Sequence, residues 1–330
     1  MATARYDVIG IGNAIVDVLA EADEGFLGKH GLSKGVMTLI DAHRARLLYE
    51  AMRPGLEMSG GSAANTMAGI ASLGGTGAYI GKVRNDQLGG VFSHDLRAAG
   101  IDYRTDPATA GAPTARCLIF VTPDAQRTMQ TFLGVSVELG PEDIDEAAVG
   151  EAQVTYLEGY LFDPPRAKEA FVRAAEIAHA KNRKVSLTLS DPFCVDRHRA
   201  AFQQLVEHHV DILFANEAEL ISLYQSKSFD DALAQVRGKC ELAAVTRSEK
   251  GSVLATDGKM VEVKAEPVAK VVDTTGAGDL YAAGVLYGLT RGYELPVCGR
   301  IGSITAAEVI SHYGARPETS LARLVAQKLS

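Results

Sequence analysis

The chain has 330 residues, 47% of them hydrophobic and 33 of them glycine, enough to bury one large α/β core or two smaller ones and too apolar to be disordered or fibrous. A formal net charge of −8, with no basic run and no arginine-aromatic stripe, argues against nucleic acid and anionic membrane as partners. No window approaches about 18 uninterrupted apolar residues, and residues 1–6 are too short and polar for a signal peptide, so a cytoplasmic protein is expected. The four cysteines, Cys117, Cys194, Cys240 and Cys298, lack any CxxC spacing and read as reduced structural thiols.

Residues 6–12 form a short apolar run closed by glycine, which suits a buried parallel strand opening onto a loop that holds Asn13 and Asp17. Gly10-x-Gly12 is not a dinucleotide fingerprint, because Ile15 stands where a third glycine is required. Residues 16–20 and 35–40 read as extended pieces of a subsidiary sheet. Ser59-Gly60-Gly61-Ser62-Ala63-Ala64-Asn65 then opens a helix whose apolar side is Met67, Ile70, Ala71 and Leu73. Gly60 and Gly61 permit close approach of a ligand to the backbone, and Asn65 can reach back to it, although tight helix-on-sheet packing would select the same small residues. A strand over 78–83 and a helix over 87–99 follow. Residues 112–134 carry two β-rich runs, 116–121 and 128–133, joined by a turn over 122–127. With residues 16–40 they make a discontinuous β-lid that would exclude water from a transfer site.

Beyond Pro141 the alternation is regular. Strands at 154–158, 185–189, 212–215 and 243–246 are separated by helices at 166–180, 198–208 and 217–224, predicting a doubly wound, mainly parallel sheet with helices on both faces. Paired runs at 252–255 and 260–263 and two long helices to about residue 310 complete the chain.

Three clusters carry chemistry. Asp273-Thr274-Thr275-Gly276-Ala277-Gly278-Asp279 is a small-residue turn that runs straight into a helix, leaving backbone N–H groups and the positive end of the helix dipole as a seat for phosphate. Asp279 in that seat reads as a base for an attacking hydroxyl, kept ionised by the helix terminus; an ordinary N-cap is the rival. Asn216 and Glu219, three apart at a helix start, could hold Mg²⁺ through water, or simply cap the helix. Thr246, Arg247 and Gly251 lie in a polar loop after a strand and could contact phosphate, against the rival of a plain hairpin. Walker-A, protein-kinase, HExxH and GxSxG signatures are absent.

Gly60-Gly61-x-x-x-Asn65, Asn216-x-x-Glu219 and Gly276-Ala277-Gly278-Asp279, in this order, resemble the ribokinase-like (PfkB) family of small-molecule kinases along nearly the whole chain. Within it the likeness is to the adenosine-kinase branch, through Gly12-Asn13 with Asp17, Leu187-Thr188-Leu189-Ser190-Asp191-Pro192-Phe193 and Val210 to Glu217. The resemblance implies a ribokinase-like three-layer α/β/α domain over residues 1–330 with a small β-sheet lid. It implies transfer of the ATP γ-phosphate to a primary hydroxyl, adenosine first and a sugar such as ribose or fructose as the alternative. Asp279 would be the base, and Gly276, Ala277 and Gly278 the anion-hole amides. Asn13, Asp17, Gly60, Gly61 and Asn65 would bind the ribose hydroxyls. Asn216 and Glu219 would organise Mg²⁺, Thr246, Arg247 and Gly251 would line the ATP site, and Asp273 and Thr275 are candidates for a K⁺ site. Cys117, Ile119, Phe120, Met129 and Phe132 are candidates for an apolar purine slot. Outside the kinases the rivals are a non-catalytic nucleoside or nucleotide sensor and, against the failed glycine fingerprint, a Rossmann oxidoreductase; association is expected as a monomer or as a homodimer through the lid.

Overall fold

The computed structural model describes residues 4–124 and 126–330. Residues 1–3 at the N-terminus and Ala125 in the 122–127 turn lie outside the described residues. Fourteen strands follow one another in the described chain: β1 (Tyr6–Ile11), β2 (Ile15–Glu21), β3 (Met37–Leu39), β4 (Leu56–Gly60), β5 (Gly77–Ile80), β6 (Asp102–Tyr103), β7 (Ala115–Val121), β8 (Arg127–Phe132), β9 (Ala152–Glu158), β10 (Lys184–Thr188), β11 (Ile212–Asn216), β12 (Leu242–Thr246), β13 (Ser252–Ala255) and β14 (Met260–Val263). Nine of them form one sheet in the order β14-β13-β12-β11-β10-β9-β1-β5-β6, parallel except for β13 and β14 at one edge. The other five form a smaller sheet in the order β3-β8-β7-β2-β4.

The large sheet is covered on both faces, which is why its central strands are apolar in succession rather than in alternation. Ile9, Ile11, Leu157, Leu187 and Leu213 turn to one side with Phe171 and Phe202 of the helices Pro165–Ala180 and Pro192–His208. Val8, Tyr156 and Phe214 turn to the other, against Met67 of the helix Ser62–Ser72 and Ala282 and Ala283 of the helix Ala277–Thr290. These last two helices touch through small residues: a Cβ on Gly69 would fall 2.6 Å from the Ala283 Cβ. That closeness brings the two small-residue N-termini to the same end of the sheet.

The smaller sheet has one packed face and one half-open face, visible in the alternating burial of β2. Two elements around it escape the sequence reading. Strand β4 has only Ser59 and Gly60 buried, so it carries no apolar alternation, and the helix Ala42–Ala51, capped by Asp41, precedes it. The sheet therefore draws on 15–60 and 115–132 rather than on 16–40 and 112–134 alone. The strand expected over 78–83 stops at Ile80, and the helix expected from His198 begins at Pro192, with non-helical angles at His198 itself. The helices Phe229–Val236 and Leu321–Leu329 are further additions. All four cysteines are free, and among the described residues no helix is long and apolar enough to cross a membrane.

Candidate active site

Asp279 sits in the first turn of the helix Ala277–Thr290, whose N-cap Gly276 has φ 79°. A Cβ on Gly276 would lie 2.7 Å from the Ala315 Cβ, so glycine is required here by conformation and by space together. A Cβ on Gly278 would meet nothing within 4 Å, which places that residue on the open side of the turn. The backbone amides of Gly276, Gly278 and Asp279 have no protein acceptor among the described residues, whereas the Ala277 amide donates to the Thr274 carbonyl at 3.2 Å. Three amides at this turn are therefore free to meet an anion, those of Gly276, Gly278 and Asp279, whereas that of Ala277, expected among them, is taken.

The Asp279 carboxylate faces the other helix start. Ser62 Oγ donates to its Oδ1 at 2.6 Å and Asn65 Nδ2 to its Oδ2 at 3.0 Å. Both bonds favour the ionised form, yet burial outweighs them and raises the carboxyl above its ordinary value. Burial thus acts against the lowering expected from the helix terminus. Ser62, absent from the sequence-derived site, is the residue missed; its position one turn from Asn65 on a helix start was the available signal.

Asp17 on β2 lies against the backbone of Gly60, where a Cβ would fall 2.3 Å from its Oδ2. Among the described residues it has no hydrogen-bond or ion-pair partner, and burial pushes it up to about 6 against the opposing charges of Arg316 and Arg127. Asn65 Oδ1 is likewise buried without a partner. Gly61, with φ 91°, brings its backbone onto the Asn13 carbonyl. Asn13 itself is fully buried, its Nδ2 given to Glu158 Oε1 at 2.9 Å and its Oδ1 accepting from Ser136 Oγ at 2.9 Å. It braces the loop rather than presenting free groups to a ligand. Glu158 accepts from Asn13 and from the Ala63 amide, and its burial lifts it to about 7.

Asn216 and Glu219 form a capping box: the Asn216 side chain accepts from the Glu219 amide at 2.8 Å and the Asn216 amide donates to Glu219 Oε2 at 2.9 Å. Glu219 is buried and raised to about 7, with the Asp191 charge adding to desolvation. No cluster of three or more His, Cys, Asp or Glu side chains able to cage a metal occurs among the described residues. This donor set fits only a Mg²⁺ that keeps its waters and takes its direct ligands from phosphates. Thr246 ends β12 beside Asn216 on β11. Arg247, expected in the ATP site, has its Nε ion-paired with Glu217 at 2.9 Å and its guanidinium 3.9 Å over the Phe229 ring. Gly251, with φ 88°, is required by the turn into β13, since a Cβ would fall 2.0 Å from the Val263 carbonyl oxygen.

The K⁺ expectation does not fit. Asp273 accepts from the Thr275 amide and hydroxyl at 3.1 and 2.8 Å, from the Gly314 amide at 3.0 Å, and from Arg127 Nη1 at 2.7 Å. A guanidinium carried by β8 already supplies the positive charge. Arg127 also lies over the Tyr313 ring, so it ties the smaller sheet to the loops that hold Asp273 and Tyr313. The pairing of β2, β7 and β8 puts Asp17, Cys117 and Thr131 in one row and Leu19, Ile119 and Met129 in the next, on the same face as Arg127. Phe120 and Phe132 point to the opposite face, and Phe120 packs on Phe26.

An arrangement of unpaired amides at a helix start, a carboxylate beside them and an unpaired carboxylate on the smaller sheet is compatible with a phosphotransferase acting on an alcohol group, the class that the comparisons with known proteins give. Residues 55–321 match the family described as pfkB family carbohydrate kinase, and the chain belongs to that family. An adenosine kinase from Sinorhizobium meliloti is 53% identical in sequence, covering 99% of this chain and 100% of its own, with a TM-score of 0.91. A probable sugar kinase from Rhizobium etli CFN 42 is 52% identical, covers 99% of both chains and has a TM-score of 0.91. A nucleoside kinase of Methanocaldococcus jannaschii is 30% identical over 77% of this chain and 80% of its own length.

Proposed function

We propose that the protein transfers the γ-phosphate of ATP to the primary hydroxyl of a ribonucleoside, adenosine giving AMP. The observation that carries the reading is the pair of unpartnered acceptors, the Asp17 carboxylate and Asn65 Oδ1, held beside Asp279. A buried acceptor such as Asn65 Oδ1 costs folding free energy unless a donor arrives, Asp17 stands half-buried and unpaired beside it, and the vicinal hydroxyls of a ribose are two such donors. The row formed by Leu19, Ile119 and Met129, with Met37 paired beside Met129 and exposed, extends from Asp17 as an apolar shelf. A purine fits such a shelf, whereas a free sugar would leave it wet. The adenosine kinase and nucleoside kinase relatives agree with a nucleoside acceptor, and the probable sugar kinase marks the alternative.

In the transfer, the hydroxyl proton passes to an Asp279 carboxylate oxygen, the hydroxyl oxygen bonds to the γ-phosphorus, and the bond from that phosphorus to the oxygen of the departing ADP breaks. The free amides of Gly276, Gly278 and Asp279 face the charge on the transferring group. Mg²⁺, held through water near Glu219, would neutralise charge on the phosphates. The smaller sheet, held by Arg127, excludes water that would otherwise compete with the acceptor. ADP release measured over adenosine, inosine, guanosine, ribose, fructose and fructose 6-phosphate tests the reading: adenosine is expected to give the highest kcat/KM, and turnover of sugars alone would overturn the nucleoside assignment.

A further inference from the structure

Gly314, Ala315 and Arg316 lie in the loop between the helices Leu295–Val309 and Leu321–Leu329, and each touches a different part of the site. The Gly314 amide donates to Asp273, Ala315 packs on Gly276, and Arg316 crosses to the other side. Arg316 Nε and Nη2 donate to the Ser59 carbonyl at 3.3 and 3.0 Å, Nη2 also to Ser59 Oγ at 3.1 Å, and Nη1 to the Ala64 carbonyl at 2.8 Å. The Ser59 amide is fixed in turn by Asp95 Oδ2 at 2.8 Å. Ser59 immediately precedes Gly60 and Gly61, and it pairs with Val16 beside Asp17. Among the described residues Arg316 forms no ion pair within 4.0 Å, so its charge is met only by neutral acceptors and by carboxylates further away.

We propose that Arg316 is a positioning residue for the transfer: its guanidinium clamps the end of β4, just before the Gly60-Gly61 junction, to the helix that carries Asn65. The geometry explains why an arginine is needed. A planar fork reaches two carbonyls and a hydroxyl at once, where an ammonium on a flexible stem reaches fewer. Its charge opposes the protonation of both Asp17 and Asp279. Other groups act on the same two carboxylates. Asp17 faces Arg127, Cys117 and Asp279, and Asp279 acts on Glu158, Tyr156 and Tyr160; Arg316 itself also faces Tyr79 and Asp95. Among the described residues, removing Arg316 leaves Arg127 as the cation opposing protonation of Asp17 and leaves no cation acting on Asp279.

The proposal rests on the kinase reading for its purpose but is tested without turnover. Carboxyl-carbon NMR titration of ligand-free protein, with signals assigned through Asp17→Asn and Asp279→Asn, is compared for wild type, Arg316→Met and Arg316→Lys, together with amide exchange at Ser59 to Gly61. The expected result is a rise in both aspartate midpoints for Arg316→Met, largely reversed in Arg316→Lys, with faster amide exchange at Ser59 to Gly61 in both variants. Folded variants with wild-type midpoints and wild-type amide exchange overturn it. If Arg316→Met fails to fold, unchanged amide exchange in Arg316→Lys alone overturns the clamp. Kinetics form a separate arm: Arg316→Lys is expected to raise KM for the acceptor and leave KM for ATP unchanged. A wild-type protein that releases ADP with no acceptor would sink the kinase reading and leave the titration result standing.

Discussion

At the scale of single residues, function here opposes stability. Asp17 has a folded value of about 6, above its ordinary 3.8, so its contribution to stability is fully present below about pH 4 and lost as pH rises through 6. Asp17→Asn removes that loss: the variant is expected to melt a few degrees above wild type at pH 8 and to approach it near pH 4, in thermal scans across that range, while acceptor binding weakens sharply. The same ionisation sets the acidic side of the activity. KM for the acceptor is expected to rise as pH falls below about 6, because a protonated Asp17 no longer accepts from both hydroxyls. Asp279→Asn is expected to retain nucleotide binding and lose roughly 10²- to 10⁴-fold in kcat, the range for removing a positioned base. Near-wild-type turnover in that variant would remove Asp279 from its role. Most of these residues were legible because their types sit in fixed small-residue clusters. Asn13, Arg247 and Ala277 were not, since a sequence does not reveal which polar atoms are already satisfied by Glu158, Glu217 or the Thr274 carbonyl.

At the scale of elements, the two glycine turns do different work and should respond differently to alanine. Gly61 has φ 91° and a Cβ there would meet the Asn13 carbonyl oxygen at 2.4 Å, so Gly61→Ala is expected to cost about 1–3 kcal/mol in denaturant unfolding. Gly278 has open space at the same atom, so Gly278→Ala should fold with wild-type stability and lose kcat by crowding the anion seat. Equal loss of stability in both would show that the second turn is structural. The capping box of Asn216 and Glu219 shows how one pattern serves two readings: the motif is visible in the sequence, but only the fold reveals that each side chain is bonded to the other. Strand β8 brings Arg127 to Asp273, an ion pair between residues 146 positions apart that no local pattern predicts. Exchanging K⁺ for a bulky organic cation at constant ionic strength is accordingly expected to leave kcat/KM unchanged. A steep dependence on K⁺ would mean that the guanidinium does not stand in for the ion.

At the scale of the whole molecule, the candidate site lies where the smaller sheet meets the loops and helix starts of the larger layer, joined there by charged side chains. Arg127 joins the smaller sheet to Asp273 and Tyr313, and Arg316 joins Ser59 at its edge to the last loop, so the sheet is held in place by side chains from distant parts of the chain. Adenosine is expected to slow amide exchange in β7 and β8 more than in the core strands β9 to β11, which are already protected on both faces; uniform slowing would argue against closure over the acceptor. The sequence by itself determined the alternation of strands and helices and the small-residue turns, because periodicity and backbone permissiveness are local properties. It also carried the order of motifs that resembles the PfkB family. The tertiary structure alone decided which carboxylates stay unpaired, which arginines oppose them and which face of the smaller sheet meets the cleft, because each depends on a partner remote in the chain and on how much water the fold leaves around it.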